Sequence, residues 1–350
     1  MTEPTPNATF SLGVGLTNAC NLACAHCYRS TGTDELSIAE LLASVDALPT
    51  RAVNFGTGEN GLHADFGRAV RELTDRGIAV TMTTNGFSAE ALPDDLLSRF
   101  RDVEFSIDYP TREAHDEARS AGNWDLIEAQ MARCAELGVA TTIACVLMST
   151  NYKALPDLVH LAGERGALLR VNVYQAVHRD TFSLTYDQFW DAWKHAFEVA
   201  DLITCGEPIL RAVLALPRPA GAGCGVSTVR VTPRGAVVPC VYGADAALTI
   251  ADLVRLGPGI VEEEPFKRLA LVPESCKACP HVATCGGGCP SRRSLRGNVD
   301  QPDEFCPYAS KRPVSLTATL GKVGRELPKA ASACTTILLP REAPRSRRHL

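Results

Sequence analysis

The chain has 350 residues, 45% of them hydrophobic, and a formal net charge of −5. That is apolar material for a sizeable core, in two or three domains or in one large barrel with an appendage. A nucleic-acid footprint is excluded, since the only basic concentration is the stretch Arg341 to His349; with no run of about eighteen apolar residues, no membrane span is expected.

In chain order, Met1 to Ala8 is Pro/Thr-rich and lacks the charged-then-apolar order of a signal peptide. Thr9 to Leu16 is expected to be a first strand, delivering the stretch Cys20-Asn21-Leu22-Ala23-Cys24-Ala25-His26-Cys27-Tyr28 at its end. Ser37 is a plausible N-cap with Glu40 three residues on, so a helix is expected to about Ala47. Strands are expected at Arg51–Phe55, Ile78–Thr83, Val103–Ile107, Val139–Leu147 and Leu168–Tyr174. Helices are expected between and after them at His63–Arg76, Ala89–Phe100, Trp124–Leu137, Tyr152–Glu164 and Tyr186–Ala200. These strands read as apolar on both faces, which argues a parallel sheet with helices outside, an α/β partial (β/α)6 TIM-like barrel. Polar residues collect where strands end, at Gly58-Glu59, Thr84-Asn85, Ser106 to Asp108, Asn151 and Asn172 to Tyr174. Ligands bind at that edge in such folds.

After about residue 205 the pattern changes. Residues 205–223 read as a linker, and Val229 to Val238 as a hairpin about Pro233-Arg234-Gly235. The stretch 224–310 is loop-rich and cysteine-dense, a small α+β extension expected to use metal clusters as its core. Residues 311–350 show little periodicity and are expected to be partly disordered, as are residues 1–8.

Fourteen cysteines without an export signal read as thiolate ligands in a reducing cytoplasm. Ten of them fall in two groups, Cys20 to Cys27 and Cys224 to Cys306. Three thiolates within eight residues suit a compact multi-electron centre, with an iron–sulfur cluster the leading candidate. Three ligands for four irons leave one iron open. A zinc knuckle is the bland alternative, with His26 available as a fourth ligand.

Cys-x3-Cys-x2-Cys followed by an aromatic residue resembles the radical S-adenosylmethionine (SAM) superfamily. The resemblance implies a [4Fe-4S] cluster on Cys20, Cys24 and Cys27 that binds SAM. Thr57-Gly58-Glu59-Asn60 stands where the family has Gly-Gly-Glu-Pro, which implies that Gly58 and Glu59 hold the SAM amino group. By the same resemblance Thr84, Asn85, Ser106, Asp108, Asn151 and Asn172 face SAM, and Arg119 pairs with its carboxylate, which suits a bidentate guanidinium. The series Cys224, Cys240, Cys276, Cys279, Cys285, Cys289 and Cys306 resembles the SPASM extension of this superfamily. It implies one or two auxiliary [4Fe-4S] clusters. Cys224, Cys240 and Cys289 would hold the first, with either Cys205 or an open iron completing it. Cys276, Cys279, Cys285 and Cys306 would hold the second.

The implied chemistry is reductive cleavage of SAM to a 5′-deoxyadenosyl radical that abstracts a substrate hydrogen. A flavodoxin- or ferredoxin-type donor would supply the electron, and Tyr242, Tyr174 or His178 are candidates for the base. The expected substrate is a ribosomal peptide undergoing oxidative modification or crosslinking in natural-product maturation. With only about ten residues before the first strand, a separate leader-peptide-binding protein is the expected partner. The alternatives are a small-molecule dehydrogenase or epimerase acting on an aminocyclitol or sugar, and a non-catalytic iron–sulfur electron-transfer protein.

Overall fold

The computed structural model describes residues 9–29, 32–217, 225–242, 248–324, 327 and 335–341. The calls on residues 1–8, on Cys224 and on most of the stretch beyond 324 therefore lie outside the described residues. Ten strands form one open sheet: β1 Phe10–Val14, β2 Thr50–Phe55, β3 Ala79–Thr84, β4 Asp102–Ser106, β5 Thr141–Leu147, β6 Leu168–Val173, β7 Ala200–Thr204, β8 Thr228–Val231, β9 Val237–Val238 and β10 Thr336–Pro340. Their order is β7-β10-β6-β5-β4-β3-β2-β1-β8-β9. β1 to β6 are parallel neighbours in sequence order, the expected partial barrel.

The strands are not apolar on both faces. Leu12, Val53, Val80, Met82, Val103, Phe105, Ile143 and Leu169 are buried in the core. Gly13, Asn54, Thr83, Ser106, Ala144, Arg170 and Asn172, which alternate with them, line a cavity instead. The period of two thus separates a core face from a polar lumen. Helices over Ile38–Asp46, Phe66–Asp75, Asn123–Glu136, Leu155–Glu164 and Tyr186–Val199 cover the outer face. The Ser37/Glu40 capping box is formed, and Thr185 with Gln188 forms another.

Several expectations shift. The helix expected over Ala89–Phe100 is two short turns, Phe87–Glu90 and Asp94–Leu97, because Pro93 has no N–H to continue the first and disfavours a helical Leu92. The helix expected from His63 begins at Phe66, after a 3-10 turn at Asn60–Leu62. Within the expected linker, Pro208–Val213 is helical, started by Pro208 and capped by Glu207. Within the expected tail, β10 lies antiparallel between β6 and β7. The expected hairpin is β8–β9, and β8 extends the barrel sheet by pairing parallel to β1. Among the described residues, no helix is long and apolar enough to cross a membrane.

Candidate active site

The C-terminal strand ends open into one cavity of about 730 Å³. Cys20, Cys24 and Cys27 line it from the loop after β1, and Cys240, Cys285 and Cys289 line it from the cysteine-rich segment. Gly58, Glu59, Thr84, Asn85, Ser106, Arg119, Asn172, Tyr174, His178 and Tyr242 also reach it.

The cysteine loop is held by its surroundings. Arg29 donates to the Asn18 and Leu22 carbonyls at 2.8 and 3.2 Å. His178 Nε2 lies 3.1 and 3.2 Å from the Tyr28 and Arg29 carbonyls. Donors face the sulfurs: Leu22 N–H at 3.4 Å and Asn85 Nδ2 at 3.8 Å from Cys20, and Arg119 Nη1 at 4.0 Å from Cys24. Burial pushes the Cys20 and Cys24 thiols up, so an electropositive partner is needed to hold them as thiolates.

Gly58 sits at a φ of 65°, and a Cβ there would meet the Thr17 carbonyl oxygen at 2.1 Å. Only glycine fits where this turn presses on the cysteine loop. Glu59 is buried, and its carboxylate accepts from the Thr84 and Ser88 hydroxyls, from Ser88 N–H at 2.8 Å and from Asn85 N–H at 3.0 Å. Burial raises its pKa against those donors. Most of its acceptor capacity is therefore spent within the protein.

Asp108 lies beneath the cavity rather than in its lining. Arg119 donates to its Oδ2 from Nε at 2.9 Å and Nη2 at 2.7 Å, and His26 Nε2 stands 3.3 Å away. Burial alone would raise Asp108, but the charges of Arg119 and His26 hold its carboxyl below the usual range. Asn151 is also set back, its amide donating to the Asp108 and Val146 carbonyls at 2.9 Å, so it braces this corner. Of the three candidate bases, Tyr174 donates its hydroxyl to Arg179 O at 2.7 Å and His178 is tied to the cysteine loop. Tyr242 packs edge-on to Tyr28, ring centroids 5.2 Å apart.

In the cysteine-rich segment, Cys276, Cys279, Cys285 and Cys306 lie within electrostatic reach of one another. Gly287 N–H and Ala309 N–H point at the Cys285 and Cys306 sulfurs, each at 3.4 Å. Gly286, Gly287 and Gly288 all have positive φ, which lets the chain wrap the group. Cys205 lines the same cavity; its thiol donates to Glu207 O at 3.5 Å, and burial pushes it up to about 12.

Sequence reasoning missed Ser88, which grips Glu59, and the buried group around Arg292. Arg292 donates to both oxygens of Glu207 at 2.9 and 3.2 Å and to both of Asp303 at 3.0 and 2.6 Å. Asp303 in turn accepts from Cys289 N–H at 2.7 Å. No spacing rule joins residues 207, 292 and 303; only the Arg292-Arg293 pair soon after Cys289 hinted at it.

Residues 14–162 match the family model of the radical SAM superfamily. The chain carries a radical SAM domain. Among its curated relatives is the mycofactocin maturase MftC of Mycobacterium tuberculosis, 27% identical, with 89% of each chain covered. The PqqA peptide cyclase of Xanthomonas oryzae pv. oryzae is 25% identical, covering 87% of this chain and 88% of the relative. SuiB of Streptococcus suis, solved with its precursor peptide SuiA, shares the fold at a TM-score of 0.62 and 14% identity, over 85% of this chain and 76% of that one. These relatives set the enzyme among the radical SAM/SPASM proteins.

Membership implies a [4Fe-4S] cluster and SAM, and the residues fit them. Three cysteines line one cavity, with N–H donors near the Cys20 and Cys24 sulfurs. His26, the fourth ligand a zinc site would need, turns instead to Asp108. Among the described residues, no three His, Cys, Asp or Glu side chains crowd closely enough to share a single metal ion, and a four-iron cubane spreads its ligands more widely.

Proposed function

We propose that this radical SAM/SPASM enzyme oxidatively modifies a residue of a ribosomally made peptide. The observation that carries the reading is the shared cavity, lined on one side by Cys20, Cys24 and Cys27 and on the other by Cys240, Cys285 and Cys289. The PqqA peptide cyclase and SuiB, solved bound to the precursor peptide SuiA, support the substrate class, and MftC is named a maturase.

Cys20, Cys24 and Cys27 would hold the [4Fe-4S] cluster, which together with SAM would supply the hydrogen-abstracting radical chemistry. Gly58 gives the close backbone approach beside it. Glu59, fixed by Thr84, Asn85 and Ser88, offers its remaining acceptor capacity to the SAM amino group. Arg119, its Nε and Nη2 held by Asp108, would offer Nη1, which stands 4.0 Å from the Cys24 sulfur, to the SAM carboxylate. Ser106 and Asn172 would contact the rest of SAM from the lumen, with the cavity walls excluding water. Tyr242, which lines the cavity edge-on to Tyr28, is the candidate to move the substrate proton.

Cys276, Cys279, Cys285 and Cys306 hold one auxiliary cluster. Cys240 and Cys289 hold a second together with Cys224, which lies outside the described residues. Cys205, turned to Glu207 O, is not assigned to it. A flavodoxin- or ferredoxin-type donor and a separate leader-binding protein complete the system in the cytoplasm.

Anaerobic reconstitution tests the reading. About twelve irons per chain are expected for three four-iron clusters. Dithionite with SAM is expected to yield 5′-deoxyadenosine, and a co-encoded precursor peptide is expected to lose hydrogen by mass. Four irons per chain would defeat the auxiliary assignment. Turnover of a sugar or aminocyclitol in place of any peptide would defeat the substrate class.

A further inference from the structure

We propose that Arg230 anchors a carboxylate of the substrate inside the lumen. β8 pairs with β1 so that Arg230 stands opposite Gly13. A Cβ built on Gly13 would lie 2.4 Å from Arg230 Nη1 and 3.3 Å from its Cζ. The guanidinium therefore lies across bare backbone, in space that any other residue at position 13 would take.

The other arginines lining the cavity have partners. Arg119 is paired with Asp108, Arg170 with Glu104, and Arg234 with Asp34 at 2.9 Å. Arg29 donates to two carbonyls, and Arg211 to Pro217 O at 3.0 Å. Arg230 has no hydrogen bond or ion pair among the described residues, although it is partly withdrawn from water. An arginine presents a rigid fork of donors that matches a carboxylate, and leaving that fork partly desolvated and unpaired is costly.

The location is also informative. Arg230 lines the same cavity as Cys27 and Tyr28. A carboxylate held by Arg230 would thus place the group bearing it beside the cysteine loop. The carboxylate chemistry follows from this geometry alone; only its source in a peptide, a C-terminus or an acidic side chain, rests on the proposed function.

The test uses the full reconstituted chain, anaerobic and with SAM. Three probes are compared by ligand-observed NMR: N-acetyl-glycyl-phenylalanine, N-acetyl-aspartyl-phenylalanine amide and N-acetyl-glycyl-phenylalanine amide. At least one acid is expected to bind about tenfold more tightly than the neutral amide, the usual scale for a hydrogen bond to a charged group. The tighter acid identifies the source. Arg230→Met should erase the preference and Arg230→Lys should restore part of it. Gly13→Ala should weaken it by displacing the guanidinium, and this second variant carries the test if Arg230→Met fails to fold. Equal binding of acids and amide, absence of binding by any probe, or a preference that survives in folded Arg230→Met would overturn the proposal. Uncoupled 5′-deoxyadenosine formation by the wild type is scored separately. Its absence would sink the radical chemistry and leave the Arg230 result standing.

Discussion

The barrel and the cysteine-rich segment hold themselves together in different ways. In the barrel, strands β1 to β6 and their covering helices share one apolar core, with Phe55, Phe105 and Trp193 fully buried. Between residues 248 and 310 the helices are short, and few large apolar side chains are buried beyond Leu253, Ile260, Phe266 and Phe305. The buried arginines Arg292 and Arg293 stand where a larger core would be. Arg292 stacks over Phe305, 4.6 Å from the ring centroid, and Phe305 stacks on Phe189 of the barrel helix at 4.3 Å. The barrel is therefore a scaffold that folds on apolar burial, whereas the segment leans on an ion group and, under the proposed function, on cluster ligation.

The sharpest way to separate the two regions is Cys24→Ala. It should reduce SAM cleavage to background, read as 5′-deoxyadenosine, while circular dichroism of the barrel stays unchanged. Cleavage near the wild-type rate would mean that the first cluster has been misplaced. Next is Arg292→Met, which strands Glu207 and Asp303 as buried carboxylates. Breaking such a group costs about 3–5 kcal/mol. Limited proteolysis should cut the cysteine-rich segment first, with iron lost from it; uniform cleavage along the chain would refute the division.

Asp108→Asn probes the corner where the barrel meets the cysteine loop. The folded Asp108 carboxyl titrates below its unfolded value, so its contribution is complete above that value, about 3.9, and is lost as the pH falls through the folded one. The stability of the wild type against denaturation should fall on acidification below about pH 4 more steeply than that of the variant. Parallel slopes would remove Asp108 from the account. The smallest effect belongs to Ser37→Ala, which deletes a barrel helix cap and should cost about 1 kcal/mol, seen as a modest drop in melting temperature with the iron content unchanged.

The site was legible where its chemistry is local in sequence. Cys20, Cys24 and Cys27, Gly58-Glu59 and the second cysteine series are patterns within short spans, and the structure brings members of all three to one cavity. Asp108 and Arg119 were legible as residues but not as a pair, since the turn that joins them follows from the helix over Arg112–Ala118, which the pattern did not reveal. Ser88 and Arg292 were hidden because Glu59 and Glu207 are distant in the chain, and Arg230 because its place opposite Gly13 comes only from the pairing of β8 with β1. The same holds for β10, whose Thr336–Pro340 run is too short for periodicity to distinguish a buried strand from a coil.

β10 also sets an order of assembly. Among the described residues β7 reaches the sheet only through β10, and the cysteine-rich segment lies between them in the chain. A nascent chain emerging from the ribosome can pair β1 to β6 early, but the edge of β6 stays open until residues past 335 are made. The sheet is finished last, after the ligands for the auxiliary clusters have been synthesised. Iron supply and completion of the sheet thus fall in the same late window, and a chain truncated before β10 would present β6 as an exposed edge to aggregation and to proteolytic clearance.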